Sequence, residues 1–113
     1  MHEVSVMQSA MEIAVEHAKA QGAQHIHRIV MRVGTLAGVV PASLLFAFDI
    51  VAQGTLAEGG CLEIETVPAI CRCTTCNREF EPADFFYQCP SCGSLNVELI
   101  KGKELEISYL EVS

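Results

Sequence analysis

The sequence predicts an α+β fold, in which a small mixed sheet is flanked by two helices and a cysteine-rich module precedes the last strand. Two segments carry apolar residues at helical spacing, three segments alternate apolar and polar residues, and four of the six cysteines form one dense cluster. Half of the 113 residues are hydrophobic, which excludes a disordered tail. A folded chain of this length buries only about two-thirds of the surface that the unfolded chain exposes, so an additional cross-link would stabilise it.

The first helix is predicted over residues 3–21, because apolar side chains recur at spacings of three and four. Ile13 and Val15 widen the apolar stripe, and Gly22 is a stop signal. The stripe itself consists of Val4, Met7, Met11, Ala14 and Ala18.

A second helix is predicted over residues 41–53, with the sequence PASLLFAFDIVAQ. Pro41 suits its first position, where no backbone N–H is needed. This helix is apolar nearly all round, so we expect it to be either deeply buried or part of a surface that contacts a partner.

Strands are predicted over residues 25–33, 61–67 and 105–112, which alternate apolar and polar side chains. Successive side chains of a strand point to opposite faces, so every second residue lies on the same face. In the first strand that face holds His27, Ile29, Met31 and Val33. In the last strand it holds Leu105, Ile107 and Tyr109.

These elements predict two structural units. We expect residues 1–67, completed by a C-terminal strand within residues 103–113, to form an α/β domain. Residues 68–102 differ in character, with dense cysteines, short polar turns and little helical periodicity, and form the inserted module.

The formal net charge of −7 disfavours nucleic acid or an anionic membrane as the main partner, because both attract basic surfaces. No signal peptide is visible, and no apolar run reaches the ~18 residues that a membrane span needs. We therefore expect a cytoplasmic protein, in which clustered cysteines are more often metal ligands than disulfides.

The segment CTTCNREFEPADFFYQCPSC contains two Cys-x-x-Cys pairs separated by 12 residues. Four thiolates complete a tetrahedral coordination sphere, which is typical of structural rather than catalytic zinc. Iron is the alternative metal for such a site, and reduced cysteines in a core are the alternative without metal. The polar surroundings favour a zinc ribbon. The predicted zinc ligands are Cys73, Cys76, Cys89 and Cys92.

Zinc ribbons often bind nucleic acid, but residues 68–102 carry three basic and four acidic side chains, which is the wrong balance. The aromatic run of Phe85, Phe86 and Tyr87 is therefore expected to fill the small core of the ribbon. The remaining cysteines, Cys61 and Cys71, are expected to be buried small hydrophobic residues.

The chain begins with MHE, which offers the amine of Met1, the peptide nitrogen of His2 and the His2 imidazole to a single ion. A deprotonated peptide nitrogen favours square-planar geometry, which points to nickel(II) or copper(II). Glu3 could supply the fourth donor. The alternative is a solvated histidine near a terminus, because so short a motif arises easily by chance.

The other histidines are weaker metal candidates. His25 and His27 would share a strand face and could hold a second metal, although such a pair is more often a solvated strand edge. His17, on the first helix, is expected to be structural or exposed, and Asp49 on the second helix is expected to be solvated.

The ordered set of motifs resembles the HypA/HybF family of nickel-insertion accessory proteins in [NiFe]-hydrogenase maturation. The matching segments are MHEVSV, the RVG turn, SLLFAFDIVAQGT, AEG, CTTC and CPSC, and they extend over essentially the whole chain. The resemblance implies nickel binding through His2 and its neighbours and structural zinc on the four clustered cysteines. It also implies a GTPase partner of the HypB type and a hydrogenase large subunit as recipient, with urease as a further recipient in some relatives.

One departure from the family pattern concerns the nickel ligands. Some members have a carboxylate near position 40 that reaches the nickel, whereas Val39 and Val40 occupy those positions here. The donors beyond His2 and Glu3 therefore stay open.

The sequence thus predicts a nickel metallochaperone, present as a monomer or homodimer. A zinc-ribbon adaptor that binds other proteins without transferring nickel is the alternative. A zinc enzyme is disfavoured, because four thiolates leave no metal position for a reactive water.

Overall fold

The computed structural model describes residues 2–83 and 87–113, which form two helices and six strands. The molecule is elongated, with extents of 54 × 25 × 16 Å. The helices are α1 (Glu3–Ala20) and α2 (Pro41–Val51). The strands are β1 (Ile26–Gly34), β2 (Cys61–Val67), β3 (Ile70–Cys73), β4 (Glu79–Phe80), β5 (Val97–Lys101) and β6 (Leu105–Val112). The predicted α+β fold is confirmed. Among the described residues, neither helix combines the length and hydrophobicity needed to cross a membrane.

The first sheet has the strand order β2-β1-β6. Strand β1 pairs in parallel with β2 and antiparallel with β6, so the sheet is mixed, as predicted. A parallel pair requires a crossover between its strands, and α2 lies in that crossover. The last strand of the chain thereby pairs with the first and completes the sheet.

Both helices pack on the same face of this sheet and share one apolar core with it. Helix α1 buries a stripe that matches the predicted one closely, but Ile13 is 51% exposed and lies outside it. The most completely buried side chains of this core include Met7, Ala14, Ile29, Met31 and Leu44.

The opposite face of the first sheet is mainly polar, although it also contains the buried Val30. Arg28 forms ion pairs there with Glu63 of β2 and Glu111 of β6, and its guanidinium lies 5.6 Å from the ring centre of Tyr109. Tyr109 was predicted to share the inner face with Ile107, and that prediction is wrong. Consecutive residues Val30 and Met31 pair with Tyr109 and Ile107, so Ser108 is an extra residue in a β-bulge that turns Tyr109 outward.

Helix α2 is neither fully buried nor fully exposed. Leu44, Ala47 and Phe48 lie in the core, whereas Phe46 is 70% exposed and Ile50 is 51% exposed. The helix therefore combines the two predicted possibilities, with one face in the core and one apolar face in solvent.

The second sheet has the order β4-β3-β5, with both pairings antiparallel. Its small core consists of Cys71, Cys73, Phe80 and Cys89, with Tyr87, Val97 and Leu99 packed against it. The predictions that Cys71 is buried and that Tyr87 contributes to this core are confirmed. Phe85 and Phe86 lie outside the described residues.

Cys61, in contrast, is exposed, and its predicted burial is wrong. It pairs in register with Arg28 at the start of β2. Because side chains at paired positions lie on the same face of a sheet, Cys61 shares the polar face of Arg28, which the helices do not cover.

The two sheets meet where the backbone passes between them at Gly34 and Gly102. The N–H of Leu36 donates to the carbonyl of Gly102 at 2.7 Å, and the N–H of Thr35 donates to the carbonyl of Val67 at 3.0 Å. A Cβ atom on Gly34 would lie 2.0 Å from the Gly102 carbonyl oxygen, so only glycine fits at this position.

Truncation of Leu44 to alanine is expected to destabilise the protein by about 3 kcal/mol, because it leaves a cavity in the shared core. Leu45, its neighbour on α2, is 44% exposed. Leu45→Ala changes the same residue type in the same helix and is expected to cost less than about 1 kcal/mol. Urea denaturation of both variants measures the difference, and equal losses would contradict the assigned orientation of α2.

Candidate metal sites

The four clustered cysteines lie on two turns of similar backbone geometry. The N–H of Asn77 donates to the carbonyl of Cys73 at 2.8 Å, and the N–H of Gly93 donates to the carbonyl of Cys89 at 2.9 Å. Asn77 and Gly93, each directly after a Cys-x-x-Cys pair, have φ values of 65° and 72°. Asparagine and glycine are the residues that adopt this left-handed conformation most readily, so the local sequence favours both turns.

These turns bring all four sulfur atoms within 4.8 Å of one another. The Sγ atoms of Cys73 and Cys92 are 3.5 Å apart, and those of Cys76 and Cys89 are 3.6 Å apart. Four sulfurs bound to one zinc at about 2.3 Å would be roughly 3.8 Å from each other. The arrangement is therefore close to that of a filled tetrahedral site.

Backbone hydrogen bonds favour the thiolate form at the first cysteine of each pair. The N–H of Cys76 lowers the pKa of the Cys73 thiol to about 6, and the N–H of Cys92 lowers the pKa of Cys89. At Cys92 the N–H of Ser94 also lowers the pKa, but the neighbouring sulfurs and desolvation outweigh it and raise the pKa to about 12. Four adjacent thiols therefore cannot all ionise by themselves, and a divalent cation would compensate their charge.

The donor set fits a structural zinc ion. All four ligands are sulfur, Cys73 and Cys89 are buried, and the four thiolates leave no coordination position for substrate or water.

The N-terminal candidate residues lie at the start of α1. His2 is exposed and precedes the helix, with its carbonyl accepting from the N–H of Val6 at 3.1 Å. The Glu3 carboxylate accepts a hydrogen bond from the backbone N–H of Val40 at 3.3 Å. Met1 lies outside the described residues.

Val40 directly precedes α2, so Glu3 contacts the N-terminal end of that helix. A glutamate on the same helix often caps the N–H of this position, and Glu3 makes the equivalent contact from α1. The partial positive charge of the helix end favours the carboxylate there. Thus position 40 contributes no side-chain donor, but its backbone holds Glu3 in place.

His2 and Glu3 line a solvent-open cleft of about 300 Å³ between the two helices, together with Ser43, Phe46 and Ile50.

The contact made by the Val40 backbone was not predicted from the sequence, which shows only that valine cannot supply a carboxylate. Pro41 was the available signal, because proline at the first helical position marks a helix end that attracts carboxylates.

The weaker candidates are separate from both sites. His17 and Asp49 are exposed on the helices. His25 and His27 are exposed at the beginning of β1, with ring centres 6.1 Å apart.

Comparisons with known proteins all indicate the same family. Residues 1–112 match the family model described as hydrogenase/urease nickel incorporation, metallochaperone, hypA. The hydrogenase maturation factor HypA of Picosynechococcus sp. is 50% identical, and the alignment covers 99% of both chains. The same factor of Acidithiobacillus ferrooxidans is 45% identical over 99% of both chains.

Solved structures agree with this assignment. The solution structure of the Ni metallochaperone HypA from Helicobacter pylori superposes with a TM-score of 0.71 at 29% identity, covering 99% of this chain and 97% of that one. A second solution structure of a HypA protein gives a TM-score of 0.74 at 30% identity, with 100% and 97% coverage. The chain therefore belongs to the HypA family of nickel metallochaperones, which act in hydrogenase and urease maturation.

Proposed function

We propose that this protein binds one nickel(II) ion at its N-terminus and delivers it to the large subunit of a [NiFe]-hydrogenase, together with a GTPase of the HypB type. The proposed donors are His2, Glu3 and the amine of Met1. The observation that carries the proposal is the contact between Glu3 and the Val40 N–H, which holds a carboxylate beside an exposed histidine in an open cleft.

This arrangement suits transfer better than storage. His2 is exposed, and Glu3 is fixed by one hydrogen bond across a solvent-open cleft. A square-planar ion leaves its two axial directions free for an incoming ligand. A thiolate from the recipient could therefore displace the histidine and carboxylate one at a time.

The zinc ion has a separate role in this proposal. Cys73, Cys76, Cys89 and Cys92 hold it as a structural ion that fixes the shape of the ribbon. Residues 68–102 form this zinc-ribbon domain, and residues 1–67, completed by residues 103–113, form the nickel-binding domain. Neither domain catalyses a reaction.

The apolar surface next to the N-terminus is the proposed contact area for partners. Phe46 and Ile50 are largely exposed on α2 and line the same cleft as His2. A partner that covers them would also contact the nickel ligands.

The proposed site of action is the cytoplasm. Urease maturation is a second destination for the nickel in this proposal. Nucleic acid and membranes are not partners. The protein acts as a monomer or homodimer.

His2→Ala is expected to weaken nickel binding more than tenfold, or about 1.4 kcal/mol, with unchanged zinc content. Two additional residues before Met1 are expected to have a similar effect, because they remove the amine from its position next to His2. Calorimetric titration of the zinc-loaded protein with an untagged N-terminus measures both. His17→Ala, which removes an exposed histidine from the same helix, is the matched control.

The alternative function is a zinc-ribbon adaptor that binds proteins without transferring nickel. It predicts normal zinc content and equal nickel affinity in the wild type, the His2→Ala variant and the extended chain. That result would remove the proposed nickel site and leave the ribbon as the functional part.

A further inference from the structure

We propose that His25 and His27 form a second binding site, for one divalent transition-metal ion, at the end of the first sheet opposite the N-terminus. This site is independent of the proposed function, because it uses none of the same residues. Its position, the geometry of its two imidazoles and the hydrogen bond of His27 support the assignment.

The backbone of His25 pairs with the end of β6, whereas His27 lies in a β-bulge. The N–H of His25 donates to the carbonyl of Ser113 at 3.0 Å, and the N–H of Ser113 donates to the carbonyl of His25 at 2.9 Å. Ile26 and Arg28 pair with consecutive residues of β6, so His27 is an extra residue in a β-bulge. Contrary to the prediction, His27 therefore does not share the buried face of Ile29, and its side chain is exposed.

The distance between the two rings is compatible with one shared ion. Their centres are 6.1 Å apart, and their planes are inclined by 35°. With metal–nitrogen bonds of about 2.1 Å, the centres of two imidazoles on one ion can be at most roughly 6.4 Å apart. Both side chains are exposed, so small side-chain rotations can bring the rings closer without disturbing the core.

The hydrogen bond of His27 prepares its ring for a metal. Its Nε2 lies 2.6 Å from the hydroxyl oxygen of Ser113. Histidines that bind metals usually donate their second ring N–H to an oxygen, which fixes the tautomer and the ring orientation. In the tautomer in which Nε2–H donates to Ser113, the lone pair of His27 is on Nδ1 and can bind the ion.

Imidazole ligands select the class of ion. Nickel, copper, zinc and cobalt prefer them, whereas magnesium and calcium prefer oxygen. Within the described residues, no group of three or more metal-ligating side chains includes this pair, so water would complete the coordination sphere. The bound ion would therefore be weakly held and would exchange readily.

The site is also well separated from the N-terminal one. Helix α1 has 18 residues, begins directly after His2 and ends shortly before His25. At 1.5 Å per residue, it spans about 27 Å, which is too far for the two sites to share an ion.

Nickel sulfate titration of the full-length, zinc-loaded protein tests this proposal. The wild type is expected to bind two nickel ions, the His25→Ala/His27→Ala variant only one, and His17→Ala two. Ser113→Ala is expected to weaken the second ion about tenfold, and a large excess of magnesium should leave it bound. In NMR spectra, paramagnetic nickel should broaden the amide signals of Ile26 and Arg28 in the wild type but not in the double variant.

The possible failures are distinguishable. If the wild type binds a single nickel that is lost in His2→Ala, the second site is wrong and the proposed function stands. If the only nickel is lost in His25→Ala/His27→Ala, the second site stands and the N-terminal assignment fails. Equal stoichiometry and equal broadening in the wild type and the double variant would overturn the second site.

Discussion

Replacement of Cys73 by serine is expected to abolish zinc binding and to unfold the ribbon, while the helices and the first sheet stay folded. Among the described residues, the core of the second sheet has four buried members, and two of them, Cys73 and Cys89, are proposed zinc ligands. Structural zinc contributes about 10–16 kcal/mol in small zinc-binding units, which is comparable to the total stability of a whole domain. The four described core residues cannot replace that contribution by their burial.

Zinc content by mass spectrometry and limited proteolysis between β2 and β6 measure this effect. Cys61→Ser is the control, because Cys61 is exposed on β2, outside the cluster. It should retain one zinc ion and a protease-resistant ribbon. If Cys73→Ser lost its zinc and the ribbon still resisted protease, the ion would not be the structural element of this module.

Gly34→Ala is expected to destabilise the protein by at least about 4 kcal/mol or to prevent its folding. The new methyl group would lie 2.0 Å from the carbonyl oxygen of Gly102 and 2.6 Å from the backbone nitrogen of Lys103. These are backbone atoms, which cannot rotate away as the end of a flexible side chain can. Strand β1 or the chain beside it would have to shift, and overpacking of this kind can cost several kcal/mol.

Gly22→Ala separates this effect from the general cost of replacing glycine. Gly22 has a φ of 73°, and no neighbouring atom lies within 4 Å of the position that a methyl group would take, so only its backbone conformation opposes the change. The expected loss is about 1 kcal/mol. Thermal or urea denaturation of both variants gives the comparison. A similar small loss for Gly34→Ala would show that the two sheets are not in close backbone contact at this point.

Much of the fold could be predicted because the main elements carry strong local patterns. The apolar stripe of α1, Pro41 at the start of α2 and the alternation in β1 and β2 each predicted an element that the structure contains. The four-cysteine cluster was equally predictable, since each Cys-x-x-Cys pair lies on a local turn that brings its two sulfur atoms close together.

The errors arose where the structure depends on distant pairing. Ser108 and His27 are both bulge residues, and a bulge is defined by the strand opposite rather than by the residue itself. The strict alternation assumed for β6 therefore placed Tyr109 on the wrong face. Cys61 was predicted to be buried from its residue type alone, although the open face of the sheet decides its exposure.

The N-terminal site shows the same limit. His2 and Glu3 could be selected from their position in the sequence. The hydrogen bond between Glu3 and Val40 could not be predicted, because it joins residues 37 positions apart. It also involves a backbone N–H, which every residue type except proline provides.

The pairing of β6 with β1 has a consequence for the order of biosynthesis. A ribosome releases α1, β1, α2 and β2 first, then the whole ribbon, and only afterwards the strand that completes the first sheet. Until β6 is synthesised, one edge of β1 has no hydrogen-bonding partner. The apolar core between the helices and the sheet also lacks the side chains that β6 contributes to it. The nascent chain therefore has to make its cysteine-rich unit before the unit that carries His2 can become stable, and the unfinished sheet stays exposed to aggregation for as long as translation of that unit takes.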